Sequence, residues 1–217
     1  RVGASPNFIS GANLLLGVFA AVLLAAGGYV PTVIAALLFQ FTSIVDGSDG
    51  EVAKLTWKMS PKGAWIDTIC DQITYVLFFV ALPIGLYNAP VAETEAFMIG
   101  GQWIFLALGG VTLAAFGAMF WLMSRYVKRV RGEGSMLQIL KDIEESARQP
   151  GLGGMLDRIV ARMSFVFRRD FFAFATMIVL IAGFAGALMW TIAVLCVIQV
   201  LYLYFYSQRR FRMIGRR

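Results

Sequence analysis

The sequence predicts an all-α integral membrane protein of six transmembrane helices, with short amphipathic helices lying at the membrane surface. Three observations predict it. Of the 217 residues, 59% are hydrophobic and only 15% charged, against roughly 25% charged in soluble domains. Apolar runs of membrane-spanning length follow one another with short connections between them. All 19 Lys and Arg fall in alternate connections, the asymmetry that orients helices in a bilayer. A single bundle uses the whole length, so 1–217 is read as one transmembrane domain.

Residues 1–10 are polar, with Pro6-Asn7 ahead of the first apolar run. Gly11–Gly28 is the first helix, long enough at about 1.5 Å per residue to cross most of the hydrocarbon core. Gly27-Gly28-Tyr29-Val30-Pro31 is an uncharged turn. The second helix runs from Pro31 to about Trp57, apolar at first and acidic in its last turns. Lys58-Met59-Ser60-Pro61-Lys62 is a polar turn, and the third helix runs from Gly63 to about Tyr87. Asn88–Phe97 is a loop carrying Glu93 and Glu95, and Met98–Tyr126 is the fourth helix. Residues 125–170 are basic and mostly polar. Within them Leu137–Ala147 and Met155–Phe167 have amphipathic periodicity and are read as interfacial helices. Phe171–Gly186 and Ala187–Tyr206 are the fifth and sixth helices, ahead of a basic tail.

The loops at 27–30, 88–97 and 183–186 contain no Lys or Arg. By the positive-inside rule both termini face the cytoplasm, in a cell inner membrane. The net charge of +6 then meets anionic lipid headgroups and calls for no nucleic acid. Histidine is absent, so acid–base chemistry near neutral pH falls to carboxylates. Cys70 and Cys196 lie in apolar segments and are read as reduced core residues. The first residue is Arg1 rather than Met, so a soluble domain ahead of it is an open expectation.

The chemistry concentrates between Asp46 and Asp71. On a helix, Asp46 and Asp49 share a face, as do Asp67 and Asp71, with Gly63 one turn earlier. The proline turn between the pairs folds the two helices antiparallel and brings all four carboxylates together. Four such groups at a membrane boundary require a compensating charge. Oxygen-only ligation points to a hard divalent cation, Mg²⁺ or Mn²⁺, as one ion or two. The small residues Gly50, Ala53 and Gly63 let a bulky ligand or a neighbouring helix approach the backbone.

Asp46-x2-Asp49-Gly50-x2-Ala53-Lys54-x8-Gly63-x3-Asp67-x3-Asp71 resembles the signature of the CDP-alcohol phosphotransferases, integral-membrane enzymes that make phospholipids and related phosphodiesters. The motif-level resemblance covers residues 6–87. It implies transfer of a substituted phosphate from a CDP-alcohol to an alcohol acceptor, with release of CMP. It implies that Asp46, Asp49 and Asp67 hold metal ions on the donor diphosphate. Asp71 would be the general base and a further metal contact. Gly50 and Ala53 would line the cytidine pocket, and Asp49, Lys54 and Ser60 would contact the donor. Asn7 and Ser10 match a short motif near the nucleotide. The family usually has arginine where this chain has Lys54, which keeps the charge but loses the bidentate fork.

The run Phe39-Gln40-Phe41-x3-Val45-Asp46-Gly47-x-Asp49-Gly50-Glu51 is most similar to the branch around di-myo-inositol-phosphate phosphate synthases, where a soluble nucleotidyltransferase is often fused or encoded alongside. The acceptor expected there is a polyol or inositol phosphate. Arg125, Arg168 and Arg169 are the candidate residues for its phosphate, with Asp170 as an alternative partner for one guanidinium. Family enzymes are commonly homodimers, and the Gly- and Ala-rich third and fourth helices offer an interface. Three other readings were weighed. A phospholipid synthase would take CDP-diacylglycerol with glycerol phosphate or inositol phosphate. An ion-coupled transporter also uses intramembrane carboxylates. Membrane prenyltransferases hold Mg-diphosphate on aspartates, but on non-consecutive helices.

Overall fold

A computed structural model describes residues 6–55, 61–130, 143, 155, 157–158 and 169–214, with side-chain surroundings for 10–46, 69–126, 143, 155, 157–158 and 171–211. Among these residues the fold is helical, without strands. The helices are α1 (Pro6–Ala26), α2 (Tyr29–Leu55), α3 (Pro61–Asn88), a short α4 (Val91–Thr94) running into a 3₁₀ turn at Glu95–Phe97, α5 (Trp103–Val130), α6 (Arg169–Ile181) and α7 (Ala185–Ile214). The chain divides into two compact units, Arg1–Gly110 with Arg169–Thr191, and Val111–Arg168 with Ile192–Arg217.

In the first unit α1 packs on both α2 and α3, and α2 packs on α6. The buried stripe of α1 is Ser10, Asn13, Gly17, Ala20 and Leu24, while Leu15, Phe19 and Val22 are exposed. That three-and-four spacing is one face of a helix. In lipid no hydrophobic force drives helices together, so close backbone approach has to supply the contact. Gly17 supplies it against Thr74, and Gly85 against the Leu24 carbonyl. The Asn88 side chain extends this seam by donating to the Ala25 carbonyl at 2.9 Å. These contacts run α1 and α3 parallel, with α2 antiparallel to both. Pro83, inside α3, fits over Gly109, where a Cβ would approach its ring to 2.6 Å.

The end of this unit where α1 passes into α2 and α3 ends is tied by side chains donating to carbonyls that helices and turns leave unmet. Tyr29 donates to Ile181 at 2.7 Å, Gln102 to Ala89 at 2.7 Å, and Trp190 to Phe97 at 3.0 Å. At membrane depth such groups must find partners within the protein. Gly27 (φ 78°) and Gly183 (φ 81°) turn the chain here in a left-handed conformation open to glycine.

In the second unit Tyr126, Ile143 and Tyr206 form a buried cluster with Met123, Tyr202 and Phe211 against it. Asp157, 1% exposed, accepts a hydrogen bond from Tyr202 at 2.8 Å and pairs with Arg209. Arg209 also lies over the Tyr206 ring at 5.5 Å.

Four helices carry apolar stretches long enough to cross a membrane: Tyr29–Asp46, Ile69–Asn88, Trp103–Tyr126 and Ala185–Phe211. The expected six are thus four by length among the described residues. The apolar parts of α1 (Ser10–Ala26) and α6 (Phe171–Ile181) are shorter. Several expected boundaries move, α1 starting at Pro6 rather than Gly11. The turn placed at 183–186 lies at 182–184, because Gly183 supplies the left-handed residue, so α7 begins at Ala185 and runs on to Ile214. The fourth expected helix begins at Trp103 rather than Met98, because Gly100 and Gly101 both have positive φ. Of the expected interfacial helices only Ile143, Met155, Asp157 and Arg158 are described, all four helical, and the rest of 137–147 and 155–167 lies outside the described residues.

Candidate active site

The register of α2 against α3 is set by an aromatic stack. Phe39 lies on Phe78 with ring centroids 4.5 Å apart and meets Tyr75 edge-on at 5.9 Å. Phe172 of α6 closes the cluster against Tyr75, Phe78 and Phe79. Seven residues forward from Phe39 is Asp46, and seven back from Phe78 is Asp71. On antiparallel helices both steps climb about 10 Å in the same direction. Seven residues fall within about 20° of two full turns, so each aspartate also keeps the face of its ring. By this register Asp46 and Asp71 fall at about the same level beyond the aromatic floor, each half-buried. Asp49 and Asp67 lie about one turn higher on the same two helices.

Buried neutral polar groups accompany the carboxylates, with Thr42 and Ser43 of α2 and Thr74 of α3 lying between them and the aromatic rings along the helices. Ser10, Asn13, Thr42, Ser43 and Thr74 are each 5% exposed or less. Asn13 Nδ2 donates to the Thr42 carbonyl at 3.1 Å, pinning α1 to α2 one turn before Asp46. Thr42 and Thr74 turn their hydroxyls back onto their own helices, onto Phe39 at 2.7 Å and Cys70 at 3.0 Å. By the Asn13–Thr42 contact, Ser10 of α1 lies at about the level of Asp46, and Asn7 about one turn further out.

The other expected site residues distribute as follows. Gly50, Ala53 and Lys54 occupy the last turns of α2, and Gly63 the first turn of α3. Ser60 and Arg168 lie outside the described residues. Arg169 opens α6, one turn before Phe172. Arg125 belongs to the second unit, where its guanidinium lies 5.2 Å from the Trp121 ring centre. Asn13, Thr42 and Thr74 were not singled out from sequence. The available signal was Asn13, a carboxamide inside an apolar span, one turn from Ser10 and from Gly17.

The profile of the CDP-alcohol phosphatidyltransferases matches residues 4–198. The chain belongs to that family. Relatives in it include a protein of Thermococcus kodakarensis named "Bifunctional IPC transferase and DIPP synthase", 29% identical over 93% of this chain and 39% of that protein. A protein of the same name from Archaeoglobus fulgidus is 39% identical over 45% of this chain and 19% of that protein. The "Archaetidylinositol phosphate synthase" of Aeropyrum pernix is 33% identical over 38% of this chain and 41% of that protein. The chain thus spans well under half the length of the curated relatives it matches.

CDP-alcohol phosphatidyltransferases work in the membrane and are generally divalent-metal dependent. The residues here fit such an ion. Asp46 and Asp71 offer hard oxygen donors from two neighbouring helices, and the buried carboxamide oxygen of Asn13 lies about one turn from Asp46. Among the described side chains no group of three potential ligands is complete. Asp49 and Asp67 are placed by their helical backbone alone.

Proposed function

We propose that this protein moves a substituted phosphate from a CDP-alcohol to a hydroxyl of a polyol or inositol phosphate, releasing CMP. What supports the reading is the stacking of Phe39 on Phe78, which registers Asp46 against Asp71, in a chain of this family. Asp46, Asp49, Asp67 and Asp71 would hold two Mg²⁺ or Mn²⁺ ions. When bound, these ions supply positive charge that neutralises the donor diphosphate and the departing CMP. Asp71 takes the proton of the acceptor hydroxyl as its oxygen bonds to the distal phosphorus and the bond to CMP breaks. Lys54 and Ser60 contact the diphosphate, while Gly50 and Ala53 leave room for the nucleotide beside Asn7 and Ser10. Arg125 and Arg168 or Arg169, the last of which opens α6, are the candidates for the acceptor phosphate.

We place α1 and α6 in the membrane as fifth and sixth spans, because both pack on α2 or α3 within the bundle. The described Lys and Arg of the first unit, Lys54, Lys62 and Arg169, all lie towards the aspartate end, which supports a cytoplasmic active site and cytoplasmic termini. A homodimer is part of the same reading.

The test is CMP release by the purified protein with Mg²⁺ or Mn²⁺. CDP-inositol and CDP-diacylglycerol are offered as donors, each against inositol phosphate and glycerol phosphate. Release with CDP-inositol and a polyol phosphate is expected, and release with CDP-diacylglycerol alone makes the protein a phospholipid synthase instead. Chelation with EDTA should abolish turnover. Asp71→Asn should abolish turnover while donor still binds, and Asp46→Asn should weaken metal and donor together. Normal CMP release by either variant refutes the scheme.

A further inference from the structure

The scheme above leaves Asn13 unused. It lies in the seam where α1 meets both α2 and α3, one turn from Ser10, and is 5% exposed. On the α2 side its Nδ2 reaches the Thr42 carbonyl, one turn before Asp46. On the α3 side, the approach of Gly17 to Thr74 sets the register. One turn back, that register brings Asn13 level with Cys70, the neighbour of Asp71. Asn13 is therefore one turn from Asp46 along α2 and level with the neighbour of Asp71 on α3.

Its second polar atom, Oδ1, is buried and accepts no hydrogen bond from any described residue. A buried acceptor left in that state is destabilising, and an apolar side chain of similar size would avoid the cost. The hydroxyls of Thr42 and Thr74 do not meet the need, because both are spent on their own helices. What Oδ1 lacks is a donor, and the carboxylate site is within a turn of it. A hydrated divalent cation supplies one, since Mg²⁺ gives up its waters reluctantly and keeps several when bound. A neutral carboxamide can hold such a water without adding a fifth negative charge to four aspartates.

We propose that Asn13 is a positioning residue for the divalent cation of the carboxylate site, its Oδ1 accepting a hydrogen bond from the cation's water shell. This rests on the metal-dependent reading above. Groups that orient a metal site from outside its direct ligands typically contribute 10–100-fold in metal affinity.

The experiment is a Mn²⁺ titration of the full chain in detergent, without nucleotide, followed by electron paramagnetic resonance of free Mn²⁺. Asn13→Leu removes the acceptor at similar volume and should weaken Mn²⁺ about 10-fold. Asn13→Asp keeps an oxygen at the same place but loses the Nδ2 donor, and should bind Mn²⁺ at least as tightly as wild type. Should Asn13→Leu fail to fold, Asn13→Val carries the same expectation. A purely structural role for the Asn13–Thr42 bond forecasts the reverse for aspartate, which sets a carboxylate against a carbonyl. Asn13→Asp binding as weakly as Asn13→Leu overturns the proposal, and so does unchanged affinity in Asn13→Leu. Wild-type protein that binds no Mn²⁺ overturns the metal reading and this inference with it. The wild-type arm alone tells those two failures apart.

Discussion

Replacing Gly85 by alanine puts a methyl carbon 1.9 Å from the Leu24 carbonyl oxygen. Ordinary contact begins at 3.4 Å, so α1 and α3 would have to separate by about 1.5 Å where they cross. The obstructing atom is backbone, and no side-chain rotation can relieve it. Overpacking costs about 1–3 kcal/mol where neighbours can adjust, and this position sits at the upper end of that range. Separation also stretches the Asn88–Ala25 hydrogen bond of 2.9 Å, for about another 1 kcal/mol. A total of about 3–4 kcal/mol corresponds to a fall of at least about 6 °C in Tm for a chain of this size. Thermal unfolding in one detergent, followed by tryptophan fluorescence, measures it. Gly85 lies fourteen residues along α3 from Asp71, about 21 Å at helical rise. Mn²⁺ affinity of the folded variant should therefore stay within about twofold of wild type. A Tm within about 1 °C of wild type would refute the reasoning, because it would mean that the α1–α3 crossing has slack.

Gly17→Ala offers the contrast, since its Cβ would meet the Thr74 side chain at 2.8 Å rather than backbone. It should cost about 1–3 kcal/mol, and Thr74→Ala in the same chain should restore most of the lost Tm. Asp157→Ala strands the Tyr202 hydroxyl and Arg209, and should destabilise by about 2–3 kcal/mol, discounted because the Arg209 side chain is 39% exposed. Asp157→Asn keeps an acceptor and should lose about half as much in the same melt. Lys54→Arg restores a bidentate phosphate partner and should lower KM for the CDP donor severalfold with kcat unchanged, as initial-rate kinetics would show.

Much of the site was legible because it is local. Asp46 with Asp49, and Asp67 with Asp71, are spaced for one helix face whatever surrounds them, and Pro61 between the pairs forces the return of the chain. The apolar runs were equally legible, since their length is measured against a bilayer rather than against neighbours. The ends of the helices were less so. Both Gly183 and Gly186 offered a turn, and only backbone conformation distinguishes the left-handed Gly183 from Gly186, which instead makes room for the Phe97 ring. Asn13 escaped notice for a related reason. Its importance comes from burial between two other helices and from a carbonyl 29 residues away, neither of which has a local signature. Asp157 and Arg209 likewise read as surface charges until the fold joins them across 52 residues.

The sequence alone determined the class of molecule, the four carboxylates and their pairing on two consecutive helices, because composition and periodicity act over a few residues. Tertiary structure decided the register that sets Asp46 opposite Asp71, since it depends on the stacking of Phe39 and Phe78 and on Gly17 and Gly85 admitting α1. It also decided that Asn13 is buried against Thr42, about one turn from Asp46, with one oxygen unmet by any described residue. Burial and hydrogen-bond satisfaction belong to neighbours brought from elsewhere in the chain, and only packing chooses those neighbours.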